Sequence, residues 1–280
     1  MYCSNGDFRA GRDNESTGKV IIECRLGCKQ LLKKEKRKQK LEMKIAIVIG
    51  ATSGIGKELA RLLVSDGFKV GITGRRTELL ERLKSENPDS YFIKTFDVKD
   101  TKVAEVKLEE LTSELGGLDL LILSSGTGEI NANLDFEIEI RTIETNVIGW
   151  TFISDWAFKY FEKQKHGHLA AISSIGGLRG NRQSTSYNAT KAYQINYLEG
   201  LRQKATNLKE QIFITDIRPG LINTKMAKGE GLFWVMPLEK TARQIYAAIK
   251  KKKKIAYVTK RWKLIAAIIK RIPGRFYDRM

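Results

Sequence analysis

One pair of side chains in this 280-residue sequence has the types and the spacing for acid–base chemistry. Tyr187 precedes Lys191 by four residues, and residues four apart on a helix share a face, so the ammonium would lie near the phenol. A free tyrosine has a pKa of about 10, which a neighbouring cation lowers. The pair is therefore suited to exchanging a proton with an alcohol or carbonyl. Helices often carry a Tyr and a Lys at this spacing by chance. The alternative is therefore that Tyr187 is an ordinary half-buried helix residue.

A glycine-rich turn is the second element with chemical potential. The apolar run 45–49 stops at Gly50, Gly54 and Gly56 follow, and a helical pattern then begins. A strand, a tight turn and a helix N-terminus in this order let the backbone approach a pyrophosphate and point N–H groups at it. The same pattern also fits a strand-to-helix turn that binds nothing.

Strand-like and helix-like segments alternate along the chain from residue 44. Such alternation implies parallel strands joined by right-handed crossovers. The sequence therefore predicts an α/β fold, namely a Rossmann-like doubly wound parallel sheet of about seven strands with helices on both faces, in a single domain. The predicted strands are 45–49, 69–73, 91–96, 118–123, 168–173, 212–217 and 255–258. The predicted helices are about 55–66, 77–86, 101–115, a long region around Asn146 reaching about 163, a segment carrying Tyr187 and Lys191 to about 206, and 239–250.

Several chemically useful residues directly follow the predicted strands. Ligands of doubly wound sheets bind beyond the carboxyl ends of the strands, so residues at those ends should meet in one crevice. The residues in question are Gly50, Arg75, Asp97, Gly126, Ser174 and Pro219.

Residues 44–250 resemble the short-chain dehydrogenase/reductase family. The resemblance rests on motifs in the family's order, with Ser174 thirteen residues before Tyr187. The motifs are Gly50-x-x-x-Gly54-Ile55-Gly56, Asp97-Val98, Asn146, Ser174, Tyr187-Asn188-Ala189-Thr190-Lys191 and Pro219-Gly220. The resemblance implies hydride transfer between a nicotinamide cofactor and a carbonyl or alcohol carbon of a small molecule.

The same resemblance assigns four catalytic roles. Tyr187 would be the acid/base, and Lys191 would tune its pKa and bond the nicotinamide ribose. Ser174 would hydrogen-bond the substrate oxygen, and Asn146 would hold a water that relays protons through Lys191.

The end of the second predicted strand indicates which cofactor binds. An acidic residue there favours NAD, whereas a basic residue suits the 2′-phosphate of NADP. The chain reads Thr73-Gly74-Arg75-Arg76, without an acid, so we expect NADP(H), with Arg75 on the phosphate and Arg76 as a stacking neighbour. The alternative is a solvated arginine pair at a helix start. The full expected cofactor set is Gly50, Thr52, Ser53, Gly54, Ile55, Gly56, Arg75, Arg76, Asp97 and Val98 near the adenine, Gly126, Lys191, Pro219, Gly220, and Thr224 at the carboxamide.

The chain departs from the family pattern at two places. Leu123-Ser124-Ser125-Gly126 replaces the usual Asn-Asn-Ala-Gly, and Ile49-Gly50 replaces Thr-Gly. Neither change touches the proposed proton-transfer residues, so we expect activity to tolerate both.

Charge is distributed unevenly along the chain. The net charge is +18, with 11 Lys/Arg and 6 Asp/Glu in residues 1–42, and 14 Lys/Arg against Asp278 alone in residues 240–280. The middle is neutral, whereas a nucleic-acid protein would carry its basic patch on the folded body. We therefore expect no nucleic-acid partner.

The three cysteines all lie in the first 28 residues, so no disulfide framework holds the core, as in a reduced compartment. No signal peptide is visible, and no run reaches the roughly 18 apolar residues that span a bilayer. We expect a cytoplasmic protein.

We expect no metal, because Cys24 and Cys28 lack partners and His166-Gly167-His168 fits a surface turn better than a ligand set.

The two ends differ from the middle. Residues 1–42 are expected to be a disordered basic extension, with Met43 as the natural start, and residues 43–258 to be the dinucleotide-binding catalytic domain. Residues 259–280 form a basic amphipathic segment that could contact an anionic membrane or pack on the body or a partner subunit. Residues 232–236 are an apolar lid candidate for a hydrophobic substrate, or a loop packed on the core.

Two other functions remain open at this point. One is a non-catalytic NADP-binding regulator or membrane-associated scaffold, and the other is an epimerase or dehydratase, which often needs a second domain. The resemblance further implies a homodimer or homotetramer.

Overall fold

The computed structural model of the chain describes residues 44–223 and 234–279. It contains seven strands, β1 Ile45–Ile49, β2 Lys69–Gly74, β3 Tyr91–Thr95, β4 Leu120–Leu123, β5 His166–Ile172, β6 Gln211–Pro219 and β7 Ile255–Val258. The helices are α1 Gly54–Ser65, α2 Thr77–Lys84, α3 Thr101–Leu115, α4 Phe136–Ile143, α5 Trp150–Gln164, α6 Thr185–Leu208, α7 Leu238–Lys250, α8 Lys260–Arg271 and α9 Gly274–Tyr277. A π-helical turn, Glu144–Gly149, joins α4 to α5, and a 3₁₀ turn, Ile175–Leu178, follows β5.

All seven strands pair in parallel, in the order β3-β2-β1-β4-β5-β6-β7. The order reverses between β1 and β4, where neighbouring crossovers go to opposite faces and leave a crevice at the carboxyl edge. The predicted doubly wound α/β sheet is therefore confirmed. Residues 1–42, predicted to be a basic extension before the catalytic domain, lie outside the described residues, so this division of the chain stays a prediction.

Strand β1 shows why the sheet is covered on both faces. All five of its residues are buried, and their side chains alternate between two apolar clusters. One cluster joins Ile47 to side chains of α3, α5 and α6, and the other joins Val48 to side chains of α1, α2 and α7. The continuous β-branched run thus specifies a central strand.

The element boundaries differ from the sequence prediction at several ends. Strand β6 continues to Pro219, two residues beyond the predicted end, because Arg218 and Pro219 pair with β7. The predicted long helix around Asn146 is instead two α-helices separated by the π-helical turn. Such turns insert a residue into the helical ladder and often occur at functional sites.

The segment His166-Gly167-His168 was expected to be a surface turn entering a strand that begins at His168, and the surface position is wrong for His168. Strand β5 begins at His166, so His168 is a strand residue, 7% exposed, with Nε2 2.8 Å from Thr215 Oγ1. Only His166 lies at the exposed end. The sequence could not show that the two histidines differ in burial. Side chains two residues apart on a strand point to the same face, but one can be buried while the other is exposed.

The segment after β7 packs on the body through one side. Trp262 and Ala266 of α8 are 3% and 2% exposed, while Leu264 is 67% exposed. No helix in the described part of the chain is long and apolar enough to cross a bilayer.

Stability should depend on pH through His168. Burial, reinforced by the charge of Lys252, lowers the pKa of its imidazole to about 4. The folded state then binds fewer protons than the unfolded state, so the stabilisation is complete above the ordinary histidine pKa and is lost as pH falls toward 4. In the wild type, this effect should lower the free energy of unfolding by on the order of 3 kcal/mol between pH 7 and pH 4. We expect His168→Gln, which can keep the bond to Thr215, to lack this loss.

Urea unfolding at a series of pH values measures this effect. His166→Gln is the matched control, because it changes an exposed side chain of the same strand. Equal pH dependence in wild type and His168→Gln would show that the imidazole is not the responsible group.

Candidate active site

The glycine turn forms the floor of the crevice at the carboxyl edge of β1. Gly50 has φ +87°, and a Cβ there would lie 2.8 Å from Ser125 N, so any side chain would force the β1 and β4 turns apart. A Cβ on Gly56 would collide with the carbonyl oxygen of Gly50. The first turn of α1 therefore lies directly against the end of β1, where a ligand can approach the backbone.

The start of α1 offers donors to an anion. Its N-cap residue, Ser53, makes no side-chain cap bond, and the first turn contains no acidic residue. The side-chain oxygens of Thr73 and Ser125, beside the turn, are buried without a hydrogen-bond partner in the part of the chain that the structure describes. Free helix N–H groups, the macrodipole and unpaired hydroxyls suit a pyrophosphate, so the residues present fit a dinucleotide.

Arg76 lies over the glycine turn. Its Nη2 donates to Thr52 Oγ1 at 2.6 Å and to Ser53 Oγ at 3.0 Å. Arg75, by contrast, is 3.5 Å from the Asp97 carboxylate and is 68% exposed. The sequence analysis gave the phosphate to Arg75 and a stacking position to Arg76, whereas here Arg76 is the arginine that reaches the turn.

The two arginines differ in their distance from the glycine turn. Both follow Gly74, the last residue of β2, which itself lies against the turn. A Cβ on Gly74 would lie 2.5 Å from Thr52 Cγ2, so β2 approaches the glycine turn closely there. Two guanidinium groups and two hydroxyls at this corner match a phosphate monoester, which accepts several charge-assisted hydrogen bonds.

Tyr187 lies in the first turn of α6, between two backbone segments. A Cβ on Gly128 would collide with the Tyr187 ring, and one on Gly176 would lie 3.5 Å from Tyr187 Cε1, so glycine backbone from two segments packs against the ring. Ser174, at the end of β5, lies close to this ring, since the same Cβ on Gly176 would be 3.3 Å from Ser174 Oγ. The structure thus brings Tyr187 and Ser174 together, as expected.

The pKa of Tyr187 differs from the sequence expectation. Burial raises the pKa of its phenol, and the hydrogen bond with Ser174 opposes that rise only in part. The prediction that the Lys191 cation lowers this pKa is wrong for this geometry. The ammonium lies 5.8 Å from the centre of the Tyr187 ring and is directed to other acceptors.

Lys191 is buried, at 5% exposure, and its charge is satisfied inside the fold. Its Nζ donates to Ile172 O at 3.0 Å and to Gln194 Oε1 at 2.9 Å. Desolvation lowers the pKa of Lys191 to about 8, although the Asp216 carboxylate opposes that fall. The ammonium is therefore close to titration at physiological pH.

Asn146 is fully buried in the π-helical turn. Its side chain exchanges two hydrogen bonds with the backbone of Thr127, through Oδ1 at 2.9 Å and Nδ2 at 2.7 Å, and also donates to Thr190 Oγ1. It therefore fixes the loop after β4 against α6. Gly126 also meets this point, since a Cβ there would lie 3.4 Å from Asn146 Oδ1.

Gln194 is the residue that the sequence analysis missed. It is fully buried, and its amide connects Lys191 to the backbone of the π-helical turn, because Nε2 donates to Asn146 O at 2.8 Å. The available signal was its position three residues after Lys191, which places both side chains on one face of α6. A buried amide there must find partners, and only the fold shows which.

The structure describes several of the remaining residues of the expected cofactor set. Asp97 accepts from Lys99 N at 3.0 Å, and Val98 is 8% exposed. Gly220 N donates to Val258 O at 2.9 Å after β6. Thr224 and the first two lid residues, Leu232 and Phe233, lie outside the described residues. Of the rest of the lid, Trp234 is 51% exposed and Met236 forms an isolated bridge with Ile222.

The described residues contain no group of three or more His, Cys, Asp or Glu side chains that could hold a metal ion.

The sequence of the chain is similar to a known protein family and to several of its members. The model of the family described as short chain dehydrogenase matches residues 44–232. An uncharacterized oxidoreductase of Staphylococcus aureus (strain USA300) is 32% identical over 184 residues, covering 65% of this chain and 79% of the relative. The NADP-dependent 3-hydroxy acid dehydrogenase YdfG of Escherichia coli O6:H1 (strain CFT073) is 31% identical over 186 residues, covering 64% and 72%.

The fold agrees with a solved structure of the same kind. A short-chain dehydrogenase from Streptomyces avermitilis superposes with a TM-score of 0.72 at 24% identity, covering 82% of this chain and 92% of that one. With the family model spanning more than half of the sequence, this chain belongs to the short-chain dehydrogenase/reductase family of oxidoreductases.

Proposed function

We propose that this protein is an NADP(H)-dependent oxidoreductase that moves a hydride between nicotinamide and the carbonyl or alcohol carbon of a hydrophobic substrate. The observation that carries the proposal is the convergence of the Tyr187 phenol, the Ser174 hydroxyl and the buried Lys191 ammonium, whose Nζ lies 5.8 Å from the centre of the Tyr187 ring. A cofactor-binding regulator or scaffold would not need these groups to converge.

The proposed chemistry divides between the cofactor and the chain. Nicotinamide, when bound, supplies or accepts the hydride. In carbonyl reduction, Tyr187 donates its proton to the substrate oxygen while the Ser174 hydroxyl donates a hydrogen bond to the same oxygen and stabilises its developing charge. Because burial raises the pKa of Tyr187, its hydroxyl holds the proton at neutral pH, which favours the donor role.

Lys191 and Asn146 complete the proposed set. The Lys191 ammonium is positioned by Ile172 O and Gln194, and is proposed to bond the nicotinamide ribose and to replenish the Tyr187 proton. Asn146 remains the proposed relay residue, with its backbone carbonyl joined to Lys191 through the Gln194 amide.

NADP is supported by the corner at the end of β2. Arg76 and Arg75 provide charge there, and the neighbouring Asp97 carboxylate is paired with Arg75. The relative YdfG is named as NADP-dependent and as acting on 3-hydroxy acids. The substrate of this chain is proposed only as a carbonyl or alcohol with apolar groups, because Trp234 of the lid candidate is 51% exposed.

The proposed setting is the cytoplasm, with a homodimer or homotetramer as the assembly and a peripheral membrane contact through residues 259–280. Self-association is supported by aromatic side chains of α5 and α6, since Tyr193 is 36% exposed and stacks on Tyr197 at 5.5 Å, and the partly buried Trp156 stacks on Tyr160 at 5.5 Å. Aromatic residues are enriched at interfaces between proteins.

The first test removes the proposed acid. We expect Tyr187→Phe to lower kcat for carbonyl reduction by roughly 10²–10⁴-fold, the usual contribution of general acid catalysis. NADPH oxidation across a panel of aldehydes and ketones is followed at 340 nm to find a substrate and compare the variants. Tyr193→Phe, on the exposed side of the same helix, is the matched control and should keep its activity. Retained turnover in Tyr187→Phe would contradict the mechanism.

The second test addresses cofactor choice. Arg76→Ala removes a cationic donor at the phosphate corner, so the Kd for NADPH should rise by roughly 10–100-fold with little change for NADH. Arg75→Ala should weaken NADPH in the same direction. Quenching of tryptophan fluorescence measures both affinities, and Arg82→Ala, an exposed arginine of α2, is the control. Wild-type affinity for NADH equal to or above that for NADPH would refute the assignment.

The third test addresses Gln194. In Gln194→Leu the ammonium keeps only the Ile172 carbonyl, so the pKa of Lys191 should fall further below its value of about 8. If activity requires the ammonium, the loss of kcat/KM as pH rises should then move to lower pH. Gln194→Glu should move it to higher pH, because a carboxylate favours the charged lysine.

A pH profile of kcat/KM with a substrate from the panel distinguishes these outcomes from simple damage to the fold. Gln203→Leu, an exposed glutamine on the same helix, is the control for the substitution type. Identical pH profiles in all variants would show that Gln194 has only a packing role.

A further inference from the structure

The helix α8 exposes apolar side chains on the side that faces away from the sheet. Leu264 and Ile268 are 67% and 54% exposed, and their spacing of four residues makes them neighbours on one face. Trp234, 51% exposed, lies beside this face, since the Arg261 guanidinium is 5.8 Å from the centre of its ring. Large apolar side chains are thus grouped at one place on the surface.

The segment that carries this apolar strip is strongly basic. Residues 259–280 contain seven Lys/Arg and only Asp278 as an acid. Among the described residues, no carboxylate lies within 4.0 Å of Arg261, Lys263, Lys270 or Arg271, whereas Lys94 on the body is paired with both Glu110 and Glu114. The positive charge of these four side chains is therefore not neutralised by a described carboxylate and is available to an external anion.

We propose that this surface docks onto an anionic lipid bilayer, with α8 lying in the membrane interface. We name it the α8 outer face and define it by Trp234, Arg261, Lys263, Leu264, Ile268, Lys270 and Arg271. A helix with Leu and Ile on one side, a neighbouring Trp and flanking Lys/Arg has the composition of interfacial helices. Basic residues near an anionic membrane each strengthen binding by roughly fivefold.

Charge favours a lipid surface over a second copy of the chain. Two copies meeting symmetrically through this face would bring like charges together, because an isologous interface pairs the same patch with itself. A nucleic acid would satisfy the cations but would leave Leu264 and Ile268 without an apolar partner. A bilayer with acidic headgroups satisfies both components at once.

The inner side of α8 connects the proposed membrane surface to the crevice. Strand β7 ends at Val258 beside Pro219, so α8 begins at the carboxyl edge of the sheet. The Trp262 ring packs so closely on Gly220 that a Cβ at that glycine would collide with it. Docking through the α8 outer face therefore brings the carboxyl edge of the sheet toward the lipid.

The loop after Ser174 is held to the same segment. Arg179 Nη1 donates to Ile272 O at 3.0 Å and its guanidinium lies 4.2 Å from the centre of the Tyr277 ring, while Tyr277 Oη donates to Gly180 O at 2.7 Å. If the proposed function is correct, the substrate crevice opens near the bilayer, and the substrate class becomes lipophilic carbonyl compounds that partition into membranes.

A second basic run provides an internal comparison. Residues 250–254 are all lysine, but they precede β7 and lie at the opposite edge of the sheet from the crevice. Lys250 is 3.1 Å from the Asp66 carboxylate, and Lys252 lies 3.8 Å from the centre of the Phe213 ring. This run lacks an apolar strip and is not part of the proposed surface.

The experiment measures co-sedimentation of the full chain with vesicles of phosphatidylcholine alone or with 30% phosphatidylserine, at low and moderate salt. We expect binding only to the anionic vesicles, weaker at higher salt. Leu264→Gln/Ile268→Gln should lower the partition coefficient by at least tenfold, and Lys263→Gln/Arg271→Gln by roughly tenfold or more. NADPH binding and thermal melting of each variant check that the fold is intact.

Two matched controls separate the α8 outer face from general stickiness. Val103→Gln/Val106→Gln removes two exposed apolar side chains of α3, and Lys251→Gln/Lys253→Gln removes two charges at the opposite edge. Both should bind anionic vesicles like wild type. An equal loss in either control would overturn the proposal, as would no binding to anionic vesicles.

Other occupants give distinct results. If Leu264→Gln/Ile268→Gln converts an oligomer to a monomer in sedimentation velocity without vesicle binding in wild type, the face is an interface between copies, and the membrane proposal fails. Tighter binding to duplex RNA than to anionic vesicles would equally overturn it. Because vesicle binding needs no turnover, these outcomes are independent of the test on Tyr187.

Discussion

A buried ammonium constrains the whole active-site region. Lys191 loses its hydration on folding, which would be costly without nearby acceptors. The end of β5 supplies one through Ile172 O, α6 supplies another through Gln194, and the Asp216 carboxylate on β6 adds a favourable field. These elements can satisfy the charge only when β5, β6 and α6 pack in one arrangement. The position of Tyr187, one turn earlier on α6, follows from that arrangement.

The sequence predicted the sheet because its information is local. The run 45–49 is β-branched and continuous, and both faces of a central parallel strand must be apolar, so the pattern and the fold agree. Gly50 and Gly56 could also be identified, since the turn needs residues without a Cβ. The family resemblance rested partly on such positions, where the backbone geometry dictates the residue type, and partly on the polar residues of the proposed catalytic set.

The site details depended on contacts between distant residues and could not be predicted in the same way. Gln194 reads as one polar residue on a long helix until the π-helical turn brings Asn146 O to it. Arg75 and Arg76 are equivalent in the sequence, and only the approach of β2 to Thr52 separates them. The pKa of Tyr187 depended on where the Lys191 ammonium points, which three-dimensional packing decides. His168 was misjudged because burial depth is not encoded in the spacing of two histidines.

The strand order has a consequence for how the protein folds. Every neighbouring pair in the sheet is also consecutive in the chain except β1 and β4, whose residues Ile47 and Leu121 pair across a long stretch of sequence. Closing that one joint carries the largest loop-entropy cost in the sheet. The crevice lies at the same joint, so a dinucleotide bound there would hold together the two halves whose association is entropically most expensive. A higher cofactor concentration would then raise the fraction of folded chains through mass action. A cell rich in cofactor would therefore protect this protein from unfolding.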